Sequence, residues 1–352
     1  MKKKITVFIM LVLALTISVI GCASKTQTEP DKAASSAKTG SEKASLEKVV
    51  IAEPAKGENW LPVFLADKLG YFKEEGLDVK FTDFKGGPLV IASLLAGDSQ
   101  FALTGYEQVM KTTDKGKSTK MIIATSAKHP WSLVAAKNIK TIADLKGKKI
   151  SAGMDGSSPR AFVRACLKDG GLDPNKDAQY VSLPNGGELG AMEKGEVAAA
   201  FVGGRNKIAL IRRGFNPLVD LTREEQHQKV LGSKDYPLFV VQVTDDYIKS
   251  HPETIQKFTN AVAKAMKWQS EHSDEEIAEV IAPLYPNIDK GLLVEDVKDT
   301  RLTLSNDGYF TKAGHDAAVK LSLDVGLISK PIPMENVVDE SFMKKAHNKL
   351  GK

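Results

Sequence analysis

Three lysines, Lys2 to Lys4, precede an apolar run from Ile5 to Ile20. Ser, Thr, Lys, Ala, Glu and Gln then dominate residues 23 to 47, with large apolar side chains nearly absent before Leu46. From Lys48 onward the apolar positions fall into short blocks with two different periods. Val49 to Ala52 reads as a strand, and Leu61 to Phe72 as an amphipathic helix that stops near Gly70 and Gly76. Val79 to Phe84 alternates as a strand. Pro88 to Leu95 is helical, Gly97 breaks it, and Phe101 to Leu103 is strand again. The plan then recurs: strand at Ile150 to Gly153, helix at Arg160 to Lys168, strand at Gln179 to Leu183, helix at Gly187 to Glu193, strand at Val197 to Phe201. Gly76-Leu77-Asp78 closes the first helix and Gly171-Leu172-Asp173 its counterpart. Such matches at a spacing of about 100 residues predict two similar lobes rather than a short-period solenoid.

Alternating strands and helices predict an α/β layer fold with largely parallel sheets. Two apolar segments, Ser132 to Ala136 and Leu238 to Val243, are suited to joining the lobes. Beyond the second, the chain turns helical at Thr254 to Trp268, around Val294 to Leu304 and around Ala317 to Leu323. If this tail packs on the first lobe, the chain crosses twice, and a hinged cleft able to close on a ligand results. The expected division is 48–137 with 244–352 for lobe 1, and 138–243 for lobe 2.

The start of the chain sets the compartment. A basic end, an apolar core and small residues before a cut make residues 1–21 a secretory signal peptide. The run is short for a membrane span of roughly 20 residues. The junction Val19-Ile20-Gly21-Cys22 resembles the lipobox of bacterial lipoproteins, which implies lipidation at Cys22. Residues 22–47 then form a flexible tether that buries too little surface to offset its ordering entropy. The body is expected outside the cytoplasmic membrane, held to it by lipid. Losing Lys2 to Lys4 lowers the formal charge from +5 to +2, which gives no case for nucleic acid. With Cys22 acylated, Cys166 has no partner within the chain and is expected to be buried and inert. The six histidines are scattered, with none at i, i+4, so no metal site or other cofactor is expected.

Ligands of open α/β sheets sit at the carboxyl ends of strands, and that rule selects candidates. After the first strand, Asn59 either caps the next helix or contacts ligand, and Trp60 either stacks on ligand or packs in the core. After Leu103 come Thr104, Gly105 and Tyr106, where the glycine permits backbone approach and the tyrosine offers a ring and a hydroxyl. In the second lobe, Ser157 and Ser158 open a helix just before Pro159, and Arg160 follows one turn in. Free N–H groups and the helix dipole favour an anion there, although the same pattern also makes an ordinary N-cap. Gly204 and Arg205 follow the equivalent strand, with Arg205 either a second cation for the ligand or a solvated surface residue. Trp131 precedes a crossing strand and is expected to line the cleft; His129 reads as a surface or hinge residue.

Phe64-Leu-Ala-Asp-Lys-Leu-Gly-Tyr-Phe-Lys-Glu-Glu-Gly-Leu-Asp-Val79 resembles the early helix and strand of extracytoplasmic solute-binding proteins for taurine, nitrate and alkanesulfonates. Ala143-Asp-Leu-Lys-Gly-Lys-Lys-Ile150 is similar to the start of their second lobe, and Gly156-Ser-Ser158 and Gly171-Leu-Asp-Pro174 follow in the same order. The resemblance implies a periplasmic-binding-protein fold of the two-crossing type (type II). It also implies delivery of a captured solute to the permease and ATPase of an ABC importer; with the Cys22 junction the carrier is expected to be a lipoprotein, and with the Ser157-Ser158 helix start its solute a small anion of the sulfonate, taurine or nitrate class. Sulfonate binders look alike at Ser157 and Ser158. Because the family also includes carriers of thiamine-type pyrimidines, a neutral heteroaromatic is the alternative ligand, and a sensory lipoprotein the alternative role. A monomer is expected. The same fold serves some enzymes, but no Ser–His–Asp spacing, metal cluster or phosphate loop supports catalysis here.

Overall fold

The computed structural model describes residues 45–54, 58–184 and 186–351. The signal peptide, Cys22 and most of the tether therefore lie outside the described residues.

Among the described residues, ten strands form two five-stranded sheets. The first contains β1 (Glu47–Glu53), β2 (Leu77–Asp83), β3 (Phe101–Gly105), β4 (Thr119–Ala124) and β10 (Phe239–Thr244), in the order β2-β1-β3-β10-β4. The second contains β5 (Ser132–Ala135), β6 (Lys148–Ser151), β7 (Ala178–Val181), β8 (Ala199–Val202) and β9 (Asn216–Asp220), in the order β7-β6-β8-β5-β9. The two orders are equivalent. In each, three strands run parallel and the fourth is antiparallel to both neighbours: β10 between β3 and β4, β5 between β8 and β9. Both sheets belong to one compact unit, Ala44–Lys352. This is the two-lobed, type II α/β architecture that the resemblance implies.

The division of the chain differs from the one expected. Ser132 to Ala136 and Leu238 to Val243 are not linkers. Each contributes an interior strand of one sheet, and Leu133, Val134, Val240 and Val241 are fully buried. Consequently β5 belongs to lobe 2 and β10 to lobe 1, so the chain changes lobe between Ala124 and Ser132 and again between Asp220 and Phe239. The boundaries at 137/138 and 243/244 fall too late. An apolar run buried on both faces must pair its backbone groups, and a sheet interior does so where a linker does not.

Local sequence accounts for most of the elements. The expected helix Leu61 to Phe72 is interrupted: Leu61–Lys68 ends before Gly70, whose φ of 78° needs no side-chain accommodation only in glycine, and Tyr71–Glu74 starts afresh. The tail is helical and packs on lobe 1. Helix Pro252–Glu271 sends Phe258 between Phe101 and Phe72, with ring centroids 3.9 and 5.1 Å away. The strands β4 and β9 were not anticipated. Gly116, at φ 75°, separates Thr119-Lys-Met-Ile-Ile-Ala124 from the preceding helix.

Candidate functional site

The lobes face each other at the ends of β3 and β8, where Gly105 lies against Ser158 and Gly204 against Asp296. Their register sets what surrounds the junction. Phe239 pairs with Gly105, so its ring stands at the end of β3. Ser132 pairs with Val202, which brings Trp131 beside Gly203, where a β-carbon would lie 3.1 Å from the indole.

An aromatic wall spans the two sheets. Trp60 meets Phe239 edge-on at 4.7 Å, and Phe239 meets Trp131 at 5.6 Å. Trp131 in turn contacts Phe201 at 5.3 Å and Phe162 at 6.0 Å. Trp60 also donates from Nε1 to the Val240 carbonyl at 3.3 Å. The two tryptophans singled out in sequence are thus brought together, through a phenylalanine that was not. Both are buried, at 4% and 7% exposure. Asn59 does not cap the following helix; Trp60 occupies that position with no side-chain bond, and the Asn59 carbonyl accepts from Thr125 Oγ1 at 3.1 Å.

Tyr106 points away from the junction. Its hydroxyl bonds His315 Nδ1 at 2.8 Å, its ring packs near Phe310, and burial pushes the phenol far above its ordinary value. The expectation of a ligand-facing hydroxyl there is corrected. At the first position of helix Tyr106–Asp114 the side chain turns into the lobe, and the next residue, Glu107, takes the junction instead. Glu107 is fully buried and accepts from the Tyr236 hydroxyl at Oε1. Burial raises its carboxyl pKa, while Ser158 and Tyr236 oppose that rise. Ser158 exerts this pull without a well-aligned bond: neither its Oγ nor Glu107 Oε2 has an aligned partner, and the Thr104 hydroxyl has none either. Gly105 is needed for the approach. A β-carbon there would lie 2.1 Å from Ser158 Oγ and 3.1 Å from Glu107 Oε2.

The second-lobe candidates separate. Ser157 is the N-cap: it accepts from Arg160 N at 3.5 Å and donates to the Met154 carbonyl at 2.7 Å. Ser158 alone faces the first lobe. Arg160 folds back onto its own loop, donating to the Gly153 carbonyl at 2.7 Å, with its guanidinium 4.5 Å over the Tyr180 ring. It is not brought to Ser158. The loop is held against lobe 1 by Gln108 Nε2, which donates to the Gly156 carbonyl at 2.7 Å.

Helix Gly204–Arg212 presents a second N-terminus, and a carboxylate of the chain sits on it. Asp296 accepts from the Arg205 backbone N at 2.8 Å and from Nη1 at 2.9 Å. Gly204, at φ 48°, makes room: a β-carbon would lie 2.1 Å from Asp296 Oδ1. Arg205 is therefore held by Asp296 and only partly exposed, rather than a fully solvated surface residue. Lys207, not foreseen, bonds Asp299 at 2.6 Å, and burial pushes the Asp299 carboxyl up.

His129 also differs from its reading. It is fully buried among Trp131, Phe162 and Tyr236, at 5.0, 5.0 and 5.4 Å. Its Nδ1 accepts from Trp131 N at 3.5 Å, and its backbone N donates to His227 Nε2 at 3.1 Å. Burial pushes its pKa well below 6.5, so it is neutral near pH 7. The signal for it was available, since His129-Pro130-Trp131 sits in the segment that crosses between sheets. Cys166 is buried, with its thiol pKa raised by desolvation, as an inert core cysteine requires.

A family model described as "NMT1/THI5 like" matches residues 58–276. The chain is similar to "Putative binding protein YtlA" of Bacillus subtilis (strain 168), 24% identical over 312 residues covering 86% of this chain and 90% of the relative. It is 26% identical over 302 residues to a "Putative aliphatic sulfonates-binding protein" of the same organism, covering 81% and 84%. Among solved structures, a protein from Bordetella bronchiseptica RB50 superposes with a TM-score of 0.78 at 24% identity, covering 87% of this chain and 98% of that one. A protein described as "putative sulfonate ABC transporter, periplasmic sulfonate-binding protein SsuA" from Methylobacillus flagellatus KT superposes with a TM-score of 0.62 at 19% identity, covering 87% and 96%.

Proposed function

We propose a transport role for this chain, which belongs to the NMT1/THI5-like family. It captures a small organic solute between its lobes and passes it to the permease and ATPase of an ABC importer, from an extracytoplasmic position tethered through lipid on Cys22. The printed descriptions of its relatives as binding proteins support the role. The Cys22 junction, outside the described residues, supports the tether.

For the solute, the carrying observation is the wall of Trp60, Phe239 and Trp131 at the strand ends, together with Asp296 on the N-terminus of helix Gly204–Arg212 and the Glu107 carboxyl beside Ser158. Glu107 stands by Ser158 and Asp296 by Arg205, so an incoming anion meets negative or proton-bearing oxygen at both places. Flat rings stack on such a wall, and a buried carboxyl accepts from a ring N–H or amino group. This favours a neutral heteroaromatic solute. The second reading is an anion of the sulfonate or nitrate class, favoured by the 26% relative and by Ser158 opening a helix toward lobe 1.

A thermal-shift panel of aminopyrimidines, taurine, alkanesulfonates, nitrate and carboxylates separates the two. Binding at 100 times Kd adds about 2.7 kcal/mol of stability. A pyrimidine response that Trp60→Ala abolishes and Ser158→Ala spares is expected. A sulfonate response lost in Ser158→Ala supports the anion instead. No response across the panel overturns both solute classes.

A further inference from the structure

Helix Gly204–Arg212 belongs to lobe 2, beside β8. Helix Lys290–Arg301 belongs with lobe 1, packing on helix Asp274–Ile281 and on the turn at Glu58–Trp60. The two helices face each other with opposite charges in register. Asp296 chelates Arg205 through backbone N and guanidinium, and that guanidinium also lies 4.5 Å over the Tyr285 ring. Lys207 reaches Asp299 at 2.6 Å and Asp220 at 3.8 Å. Arg212 reaches Glu295 at 2.5 Å. Burial grades along the row: Asp296 is fully buried, Lys207 nearly so, and the last pair is about half exposed.

We infer that these three pairs form an interlobe clasp, which populates the closed state before any solute arrives and thereby sets the affinity for it. Each pair has one partner on each lobe, so it contributes only when the lobes are shut. An interaction present in one state and absent from the other shifts the balance between them by its full differential energy. Opening also leaves Glu295 and Asp299, one turn apart on one helix, without Arg212 and Lys207, which opposes opening further. The buried pair at Asp296 resists screening by salt, while the half-exposed pair at Glu295 does not. Apparent affinity scales with the fraction of molecules in the binding-competent state.

The closed-state claim needs no solute to test. Spin labels at Asp78→Cys and Lys148→Cys, exposed on β2 and β6, report the interlobe distance of the full chain by double electron–electron resonance. A closed population is expected in the solute-free protein, and it should shrink in Asp296→Asn. Arg212→Glu should also shrink it, and the charge-swapped Arg212→Glu/Glu295→Arg should restore it. This exposed pair keeps the test alive should Asp296→Asn fail to fold. Distance distributions that are the same in the parent, the single variants and the swap overturn the clasp, as does a solute-free parent with no closed population. Where a panel solute binds, Arg212→Glu should raise its Kd several-fold and Arg212→Glu/Glu295→Arg should return it toward the parent value; an unchanged Kd overturns the link to affinity. The second effect rests on the solute-capture reading. If the distances respond and no solute binds, the clasp stands and that reading falls.

Discussion

Gly105→Ala tests whether the lobes must close as tightly as the structure shows. The added methyl would meet Ser158 Oγ at 2.1 Å and Ser158 Cβ at 3.0 Å. Rotating the serine hydroxyl relieves the first contact but not the second, because the β-carbon is fixed by the helix backbone. The backbone of Gly105 itself is extended, at φ −93°, so alanine introduces no conformational strain there. The whole cost is steric, and it falls on the closed state, since the two residues sit on different lobes. Overpacking of this kind costs roughly 1–3 kcal/mol. At about 1.4 kcal/mol per tenfold change, solute affinity should fall by about 5- to 150-fold. Calorimetry on a solute from the panel measures this directly. Ser158→Gly removes both offending atoms, so Gly105→Ala/Ser158→Gly should bind better than Gly105→Ala alone. Parent-like affinity in Gly105→Ala would refute the close approach, and a double variant no better than the single would place the damage elsewhere.

Three further outcomes follow from separate parts of the molecule. Phe258→Ala empties a site between Phe101 and Phe72 and should lower unfolding stability by about 3–5 kcal/mol in denaturant titration. Glu107, whose folded pKa is raised, holds its proton longer in the folded chain than in the unfolded one. Its contribution therefore falls as pH rises from the ordinary carboxyl value of 4.5 toward the higher folded value. Glu107→Gln should flatten that decline in melting temperature, and a parallel decline in the variant would assign it to other groups. Cys22→Ser should release the protein from detergent extracts into buffer or leave the precursor uncut, whereas a processed, membrane-held variant would remove the lipid anchor from the proposal.

Local pattern was sufficient for much of this protein. Strand and helix periods, glycine stops and the repeated Gly-Leu-Asp landmarks depend on a few neighbouring residues, so they survive being read in one dimension. They specify two equivalent α/β lobes and the loops at their strand ends. They also bring Trp60, Gly105 and Ser158 to attention, because each lies at or beyond a strand's carboxyl end, and Trp131, because it precedes a crossing strand. What such patterns do not carry is partnership across long separations. Whether Leu238 to Val243 is a linker or an interior strand depends on Leu103 and Ile123 lying on either side of it. Whether Tyr106 or the adjacent Glu107 faces the cleft depends on His315, 209 residues away. Arg205 reads as a ligand contact or a surface cation until Asp296, from a distant helix, occupies it. Periodicity records how a residue sits relative to its own element. Charge pairing, lobe assignment and cleft chemistry are relations between elements, and only their packing in three dimensions decides them.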